Sequence, residues 1–166
     1  MGVTSTGKTT VGRLLAERTG WRFAEGDAYH PPANVAKMRS GIPLEDDDRW
    51  PWLAAIARDI AAWRRAGESA IVTCSALKRA YRDRLRRAGP LRFVHLTGDP
   101  GLLAARIAAR RGHYMPPSLL PSQLATLEPP EGEPDVVTFD VAPPPAEIAS
   151  AILSRLGIPD RDPRAS

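Results

Sequence analysis

The stretch Gly2-Val-Thr-Ser-Thr-Gly7-Lys8-Thr9 decides the fold, because it matches the G-x-x-x-x-G-K-[ST] pattern of a phosphate-binding loop. A helical pattern with Val11, Leu14 and Leu15 follows it, as the motif requires. Glycine at both ends permits backbone conformations closed to other residues, so successive N–H groups can converge on phosphate oxygens at the positive end of the helix. The predicted nucleotide site comprises Gly2, Val3, Thr4, Ser5, Thr6, Gly7, Lys8, Thr9 and Thr10.

Two side chains of this loop have predicted roles in binding ATP. Lys8 supplies a mobile cation for the β- and γ-phosphates, and the Thr9 hydroxyl is suited to bind Mg²⁺. Many enzymes with this loop place a further acidic magnesium ligand after a neighbouring strand, but no acidic residue closes the predicted strand 70–74. Metal binding is therefore expected to depend on Thr9, phosphate oxygens, water and Asp27.

Apolar strand-like runs alternate with helical patterns along the chain, which predicts an α/β fold with a parallel sheet flanked by helices. Strands are predicted at residues 22–25, 70–74, 91–96 and 136–139. Helices are predicted near residues 8–18, 51–65, 78–87, 100–109 and 145–156. The proline-rich stretch 112–134 has little periodicity and is interpreted as a loop or lid.

Composition narrows the class of protein. A chain of 166 residues with 43% apolar content suits one compact domain, predicted over residues 1–158, followed by a flexible tail at 159–166. No apolar run approaches the roughly 20 residues of a membrane span, and no secretory pattern opens the chain, so a cytoplasmic location is expected. The single cysteine, Cys74, excludes an intramolecular disulfide and fits a reducing compartment.

The net charge of +4 fits either nucleic acid or small anions. Basic residues are scattered among acidic ones and no aromatic stacking platform is visible, so a nucleic-acid partner is not expected. The sequence leaves the oligomeric state open, including a homodimer.

The segment Gly26-Asp-Ala-Tyr-His-Pro-Pro32 offers a candidate catalytic base. It follows the strand at 22–25, so Asp27 should project at the carboxyl end of the sheet, where α/β proteins bind ligands. A carboxylate there could orient an attacking hydroxyl and accept its proton. The alternatives are a solvated turn acid or helix cap for Asp27, and a structural hydrogen-bonding role for His30.

Two further segments carry cations that could reach the same edge. Arg49 stands between an acidic run and two tryptophans in Glu45-Asp-Asp-Asp-Arg-Trp-Pro-Trp52, although the run also reads as an acidic helix start favoured by the helix dipole. Cys74-Ser-Ala-Leu-Lys-Arg79 leaves a strand for a helix, which would bring Lys78 or Arg79 near Asp27. Charges on an exposed face are the alternative for Lys78 and Arg79.

Taken together, these segments resemble bacterial gluconokinase. The resemblance rests on the phosphate loop, G-D-A-Y-H-P-P-A-N-V-A-K-M, G-I-P-L-x-D-x-D-R-W-P-W-L, C-S-A-L-K-R-x-Y-R-D-x-L-R and G-H-Y-M-P-P-S-L-L-x-S-Q-L-A-T-L-E. These blocks run in family order from Gly2 to Glu128, about three quarters of the chain. The resemblance implies a P-loop, nucleoside-monophosphate-kinase-like fold with a substrate-binding segment at about 27–50 and a lid at about 110–127. It also implies phosphorylation of D-gluconate by ATP, giving 6-phospho-D-gluconate.

Gluconate is a polyol carboxylate, so its site needs cations at one end and hydrogen-bonding groups along its length. Arg49 is the best candidate, because a guanidinium grips a carboxylate with two parallel hydrogen bonds. Further substrate-binding candidates are Asp27, His30, Lys37 and Lys78, with His113 and Gln123 by similarity only. Arg106, Arg110 and Arg111 flank the expected lid, and of these Arg106 and Arg110 join Lys8 and Asp27 as candidate catalytic residues.

Rival functions come from other classes. Shikimate kinase or another kinase of this fold could share the phosphate loop and the aspartate after the strand, but not the H-P-P-A-N, D-R-W-P-W and C-S-A-L-K blocks. A nucleic-acid-binding module and a catalytically inactive relative are the remaining alternatives.

The position of the phosphate loop at the start of the sequence leads to a prediction about the sheet. A phosphate loop normally follows a strand in the middle of the sheet, yet only Met1 precedes Gly2, so a first strand of β-branched apolar residues is expected upstream. The strands at 70–74 and 91–96 should then lie about two strand spacings apart, with unpaired backbone groups facing a slot. The chain as written is expected to be poorly soluble or weakly active.

Overall fold

The computed structural model describes residues 1–109 and 118–161. Seven helices and four strands occupy these residues, in an alternating order that confirms the predicted α/β class. The helices are α1 (Lys8–Thr19), α2 (Pro32–Arg39), α3 (Asp46–Arg65), α4 (Arg79–Arg86), α5 (Pro100–Ala109), α6 (Leu119–Thr126) and α7 (Pro145–Leu156). The strands are β1 (Arg22–Glu25), β2 (Ala70–Thr73), β3 (Phe93–Thr97) and β4 (Val136–Asp140), and a 3₁₀ turn covers Gly26–Tyr29.

The four strands form two separate parallel pairs. In one pair Arg22 lies opposite Ala70 and Glu25 opposite Thr73, and in the other Phe93 lies opposite Val136. Parallel neighbours need a long crossover, which helices supply here in both pairs. β2 and β3 do not pair with each other, in agreement with the expectation that these two strands are not direct neighbours.

Two helices were not predicted, and a third begins earlier than predicted. α2 and α6 both contain proline, which fits the first helical turn because its missing N–H costs nothing there. α3 begins at Asp46 and not near residue 51, with a capping box between Glu45 and Asp48 and three acidic residues in its first turn. The acidic run therefore starts a helix, as its alternative interpretation held.

The main core lies where α3, α4 and α7 meet the strands and the loop after β2. Leu53, Tyr81 and Ala149 are fully buried there, and α1 packs against α7 and β2. The start of the predicted flexible tail is held against α1, because Arg18 binds the Asp160 carboxylate with Nε to Oδ2 at 3.0 Å. In the described part of the chain, no helix is long and apolar enough to cross a membrane.

Candidate active site

The phosphate loop has the backbone that its sequence requires. Gly2 and Gly7 have φ values of 136° and 81°, in the region that favours glycine, and α1 begins directly afterwards at Lys8. A Cβ atom on Gly2 would lie 2.3 Å from the Leu96 carbonyl oxygen, so no larger residue fits there. Ser5 also has a positive φ, 63°, which is uncommon for a residue with a side chain and indicates local strain.

The interior of this loop is suited to an anion. The first N–H groups of α1 point out of its N-terminal end, into the loop. No side chain caps this end of the helix, so these N–H groups can bind an anion there. The Ser5 hydroxyl is buried and has no hydrogen-bond partner, which is unusual for a buried polar atom outside a binding site. Lys8 folds back so that its Nζ donates to the Val3 carbonyl at 2.7 Å. These groups form a cradle for the phosphates of a nucleotide.

Asp27 lies beside this cradle on a turn that is held from two sides. The Gly26 N–H donates to Thr73 Oγ1 at 3.1 Å, and Trp52 Nε1 donates to the Gly26 carbonyl at 2.7 Å. Gly26 is required because a Cβ atom there would lie 1.9 Å from the Thr73 carbonyl oxygen. Asp27 and the loop residues Lys8 and Thr9 line the same cleft. The predicted base and the predicted phosphate site are therefore brought together.

Glu25, the last residue of β1, is a site residue that the sequence reasoning missed. It lines the same cleft as Thr9 and accepts a hydrogen bond from Thr73 Oγ1. The parallel register places Glu25 opposite Thr73 at the end of β2. An acidic residue thus does stand at this sheet edge, but on the strand next to the one where it was sought. The two acidic residues of Glu25-Gly-Asp27, at the end of a predicted strand, were the sequence signal that could have identified Glu25 as a site residue.

His30 lines the cleft and stacks on Trp52, with ring centroids 4.2 Å apart and planes 14° from parallel. Burial lowers the pKa of His30 to about 4, while the nearby Asp27 carboxylate opposes that shift. The imidazole is therefore neutral at pH 7 and can both donate and accept hydrogen bonds. Trp52 thus supports both His30 and Gly26.

Arg49 is buried in the cleft wall, with 9% of its surface exposed, and holds one end of a polar chain. Its Nη1 donates to the Tyr81 hydroxyl at 3.1 Å, Tyr81 donates to Asp46, and Asp46 pairs with Lys78 at 2.7 Å. Tyr81 leaves the other guanidinium N–H groups of Arg49 for further partners. A buried guanidinium that faces a cleft is well suited to bind a carboxylate.

The structure does not bring the two predicted lysines to the cleft. Lys37 pairs with Asp48 at 2.8 Å, and hydrogen bonding to that carboxylate raises the pKa of Lys37. The Asp46 carboxylate raises the pKa of Lys78 in the same way. Both aspartates belong to the first turn of α3, so this acidic run draws the lysines into ion pairs beside Arg49.

α6 closes over the cleft from the far side. Gln123 Oε1 accepts a hydrogen bond from the Thr4 N–H at 2.7 Å, and Leu119 packs with Met38 and Leu44 in a small apolar cluster. Gln123 is thus at the phosphate loop, as a lid residue would be. Arg106 donates instead to the Val141 carbonyl at 2.8 Å and is not among the residues that line the cleft. Arg110, Arg111 and His113 lie outside the described residues.

The loop between β2 and α4 is fixed by a buried ion pair. Arg82 is fully buried, pairs with Glu133, and donates to the Ala76 and Leu77 carbonyls at 3.1 and 3.0 Å. Arg82 lowers the pKa of the Glu133 carboxyl. This pair holds the backbone that carries Ser75 and Leu77 into the cleft wall.

A phosphate loop on parallel strands, facing a carboxylate at the end of the adjacent strand, defines a P-loop kinase. No protein-family model matches the chain. A gluconokinase of Gluconobacter oxydans is 56% identical over 138 residues, which cover 82% of this chain and 78% of that protein. The crystal structure of a gluconokinase from Sinorhizobium meliloti is 55% identical, with a TM-score of 0.84 over 94% of this chain and 90% of that one. An unliganded sugar kinase from Janibacter is 48% identical, with a TM-score of 0.91 over 95% and 92%. The chain belongs to the gluconokinase family.

Proposed function

We propose that this protein transfers the γ-phosphoryl group of ATP to the terminal hydroxyl of D-gluconate, giving ADP and 6-phospho-D-gluconate. The observation that carries the proposal is one cleft lined by a phosphate loop, an acidic turn residue, Asp27, and a buried guanidinium, Arg49. A nucleotide, a hydroxyl and a carboxylate are the three groups that this reaction must hold. The identity to gluconokinases of other organisms supports the choice of substrate.

In the proposed reaction Asp27 orients the attacking hydroxyl and takes its proton. The oxygen then forms a bond to the γ-phosphorus as the bond from that phosphorus to the β-phosphate oxygen breaks, and the electron pair leaves with ADP. Lys8 releases the Val3 carbonyl to neutralise charge on the β- and γ-phosphates. The hydrogen bonds of Gly26 to Thr73 and Trp52 keep the Asp27 turn from moving during this step.

Magnesium fits the residues at one end of the cleft. The Thr9 hydroxyl and the Glu25 carboxylate are oxygen ligands of the kind that Mg²⁺ binds, and both line the cleft. Among the described residues no three acidic, histidine or cysteine side chains group into a dedicated metal site, which agrees with an ion held mainly by phosphates and water. When bound, magnesium supplies charge neutralisation on the phosphates.

We propose that Arg49 binds the gluconate carboxylate and that neutral His30 hydrogen-bonds the hydroxyls of the substrate. Gln123 and the 110–127 lid close over the bound substrates in this proposal. The Thr4 N–H donates to Gln123 in this structure. Nucleotide binding would replace that hydrogen bond by one from the Thr4 N–H to a phosphate oxygen. Lys37 and Lys78 have an indirect role in this proposal. Their ion pairs with Asp48 and Asp46 hold the first turn of α3 beside Arg49. Since ATP is the phosphoryl donor, the cytoplasm is the expected location.

The test is ADP release with gluconate, shikimate, glucose and nucleoside monophosphates as acceptors, for the parent chain and for Arg49→Lys. Gluconate should be preferred over glucose by at least about two orders of magnitude in kcat/KM, because an acceptor without a carboxylate leaves the buried Arg49 charge unpaired. Arg49→Lys should raise the KM for gluconate and leave the KM for ATP unchanged. Equal turnover of a neutral sugar would reject the proposed role of Arg49.

A further inference from the structure

Among residues 1–109 and 118–161, Arg49 is a buried cation that takes part in no ion pair. It is 9% exposed, and its Nη1 donates to the Tyr81 hydroxyl at 3.1 Å. Burial raises the pKa of Tyr81, so this partner is neutral at pH 7. A buried charge is costly unless a counter-charge pairs with it. The site therefore favours a ligand that brings a negative charge to Arg49.

Two carboxylates of the protein itself lie near enough to supply that counter-charge. Asp46 and Asp48 belong to the first turn of α3, three residues and one residue before Arg49. Hydrogen bonds from Lys78 and Lys37 are the main cause of the lowered pKa of these two carboxyls. The Arg49 charge lowers both pKa values further, so it acts on both groups. A carboxylate that paired with Arg49 would compete with the substrate for it.

Each of these carboxylates already has a cation of its own. Lys78 Nζ lies 2.7 and 2.9 Å from the two carboxylate oxygens of Asp46. Lys37 Nζ lies 2.8 Å from both oxygens of Asp48. Each pair is neutral as a unit, so neither cancels the charge of Arg49. The guanidinium thus keeps a charge with which an external carboxylate can pair.

The two carboxylates differ in how readily they could turn toward Arg49. Asp48 also accepts the Glu45 N–H at 2.9 Å in the capping box, and adjacent side chains on a helix do not face each other. Asp46 is three residues from Arg49, a spacing that puts two side chains on the same helix face. The Tyr81 hydroxyl links them, since it accepts from Arg49 and donates to Asp46. Asp46 is therefore the carboxylate that would pair with Arg49 if it lost its present cation.

On the basis of the proposed function, in which Arg49 binds the gluconate carboxylate, we propose that Lys78 sets the affinity for gluconate by neutralising Asp46. Lys78 is not among the described residues that line the cleft, so it acts through Asp46 and Arg49. Without Lys78, the Asp46 carboxylate pairs with Arg49 and gluconate has to displace it. Lys78 is therefore a positioning residue, which favours acceptors with a carboxylate over neutral polyols without touching either.

The test is the Kd for D-gluconate, measured by isothermal titration calorimetry on the parent chain, Lys78→Met and the double variant Asp46→Asn/Lys78→Met. Lys78→Met should weaken gluconate binding at least about tenfold, because it leaves the Asp46 charge to pair with Arg49. The double variant should return to within about threefold of the parent, since the competing charge is removed as well. Lys78→Arg keeps the ion pair and should bind gluconate as the parent does. The Kd for a non-hydrolysable ATP analogue should be the same in all of them.

Lys37→Met is the matched control, because it breaks an ion pair of the same kind at the same helix turn. Asp48 stays held by the Glu45 N–H, so gluconate binding should change by less than about threefold. The side chains of Lys78 and Asp46 are 31% and 43% exposed, so the loss of their ion pair costs little stability. Circular dichroism should therefore show that the variants are folded.

Three results would overturn the proposal. Equal weakening by Lys78→Met and by the double variant would mean that Lys78 binds gluconate directly. Parent-like gluconate binding by Lys78→Met would mean that Asp46 does not compete for Arg49. A loss of the same size in Lys37→Met would assign the effect to the start of α3 as a whole.

Arg49→Gln, measured in parallel, separates this proposal from the proposed function. Parent-like gluconate binding by Arg49→Gln would reject the role of Arg49 itself, and the role of Lys78 with it. Loss of gluconate binding in Arg49→Gln, together with parent-like binding in Lys78→Met, would reject only the role of Lys78.

Discussion

Trp52→Phe tests how the Asp27 turn is held. The change keeps an aromatic ring for His30 to stack on but removes the Nε1–H that donates to the buried Gly26 carbonyl at 2.7 Å. Trp52 is 1% exposed, so water cannot easily replace the donor. Leaving a buried acceptor unpaired costs about 1–3 kcal/mol. Since 1 kcal/mol shifts Tm by about 2–4 °C in a domain of this size, a fall of about 2–12 °C is expected.

The same change should act on catalysis through Asp27. With one of its two restraints gone, the turn samples positions from which Asp27 cannot accept the proton, and we expect kcat to fall roughly tenfold, or about 1.4 kcal/mol. The KM for ATP should not change. Thermal unfolding and ADP release are measured for Trp52→Phe and for the control Trp63→Phe, which is on the same helix and packs on Arg22. The control should leave kcat unchanged.

A double-mutant cycle separates positioning from general destabilisation. If Trp52 acts through Asp27, then Trp52→Phe should lower kcat little further in an Asp27→Asn background. Additive losses in kcat would refute the reasoning. So would a Trp52→Phe variant that loses stability but keeps its full kcat, because Asp27 would then be held without Trp52.

Three other changes have expected outcomes. Lys8→Ala should abolish phosphoryl transfer with the fold intact by circular dichroism, because its charge is needed when phosphates bind; wild-type-like turnover would exclude the proposed phosphate site. Asp27→Asn should lower kcat by about two orders of magnitude with a smaller change in ATP affinity, and a change in gluconate KM alone would make Asp27 a binding residue. Stability to urea should fall between pH 6.5 and 4, because His30 and His95 both have a pKa lowered to about 4 by burial and bind protons only when unfolded. His30→Gln should reduce that pH dependence, and an unchanged dependence would contradict the lowered pKa.

Much of the fold could be predicted because its signals are local. The predicted strand at 22–25 matches β1, and the one at 70–74 differs from β2 by one residue. Alternating apolar runs, glycines and helix starts act within a few residues of one another, so the sequence contains them directly. α6 was missed because the proline-rich stretch 112–134 was interpreted as a loop or lid, although its proline stands in the first helical turn. α2 begins with a proline and was not predicted.

The site could be predicted only where one motif contains the residue and its neighbours. The phosphate loop and Asp27 belong to that group. Lys37 and Lys78 were expected in the cleft, but their pairs with Asp48 and Asp46 join residues 11 and 32 positions apart. Glu25 and Trp52 were missed for the same reason, since their roles depend on bonds to Thr73 and Gly26 across the fold. Such contacts follow from tertiary packing, and of these residues only Glu25 had a local signal, its position beside Asp27 at the end of a predicted strand.

The most direct test of the central claim is the structure of the product, determined by ³¹P and ¹³C NMR after incubation with ATP and D-gluconate. Circular dichroism of the same sample shows whether the chain is folded, so that weak folding cannot be mistaken for a lack of activity. The account predicts one phosphate monoester, on the terminal carbon farthest from the carboxylate, in amounts equal to the ADP released. A phosphate on another hydroxyl, or no phosphorylated gluconate from the folded chain, would contradict it.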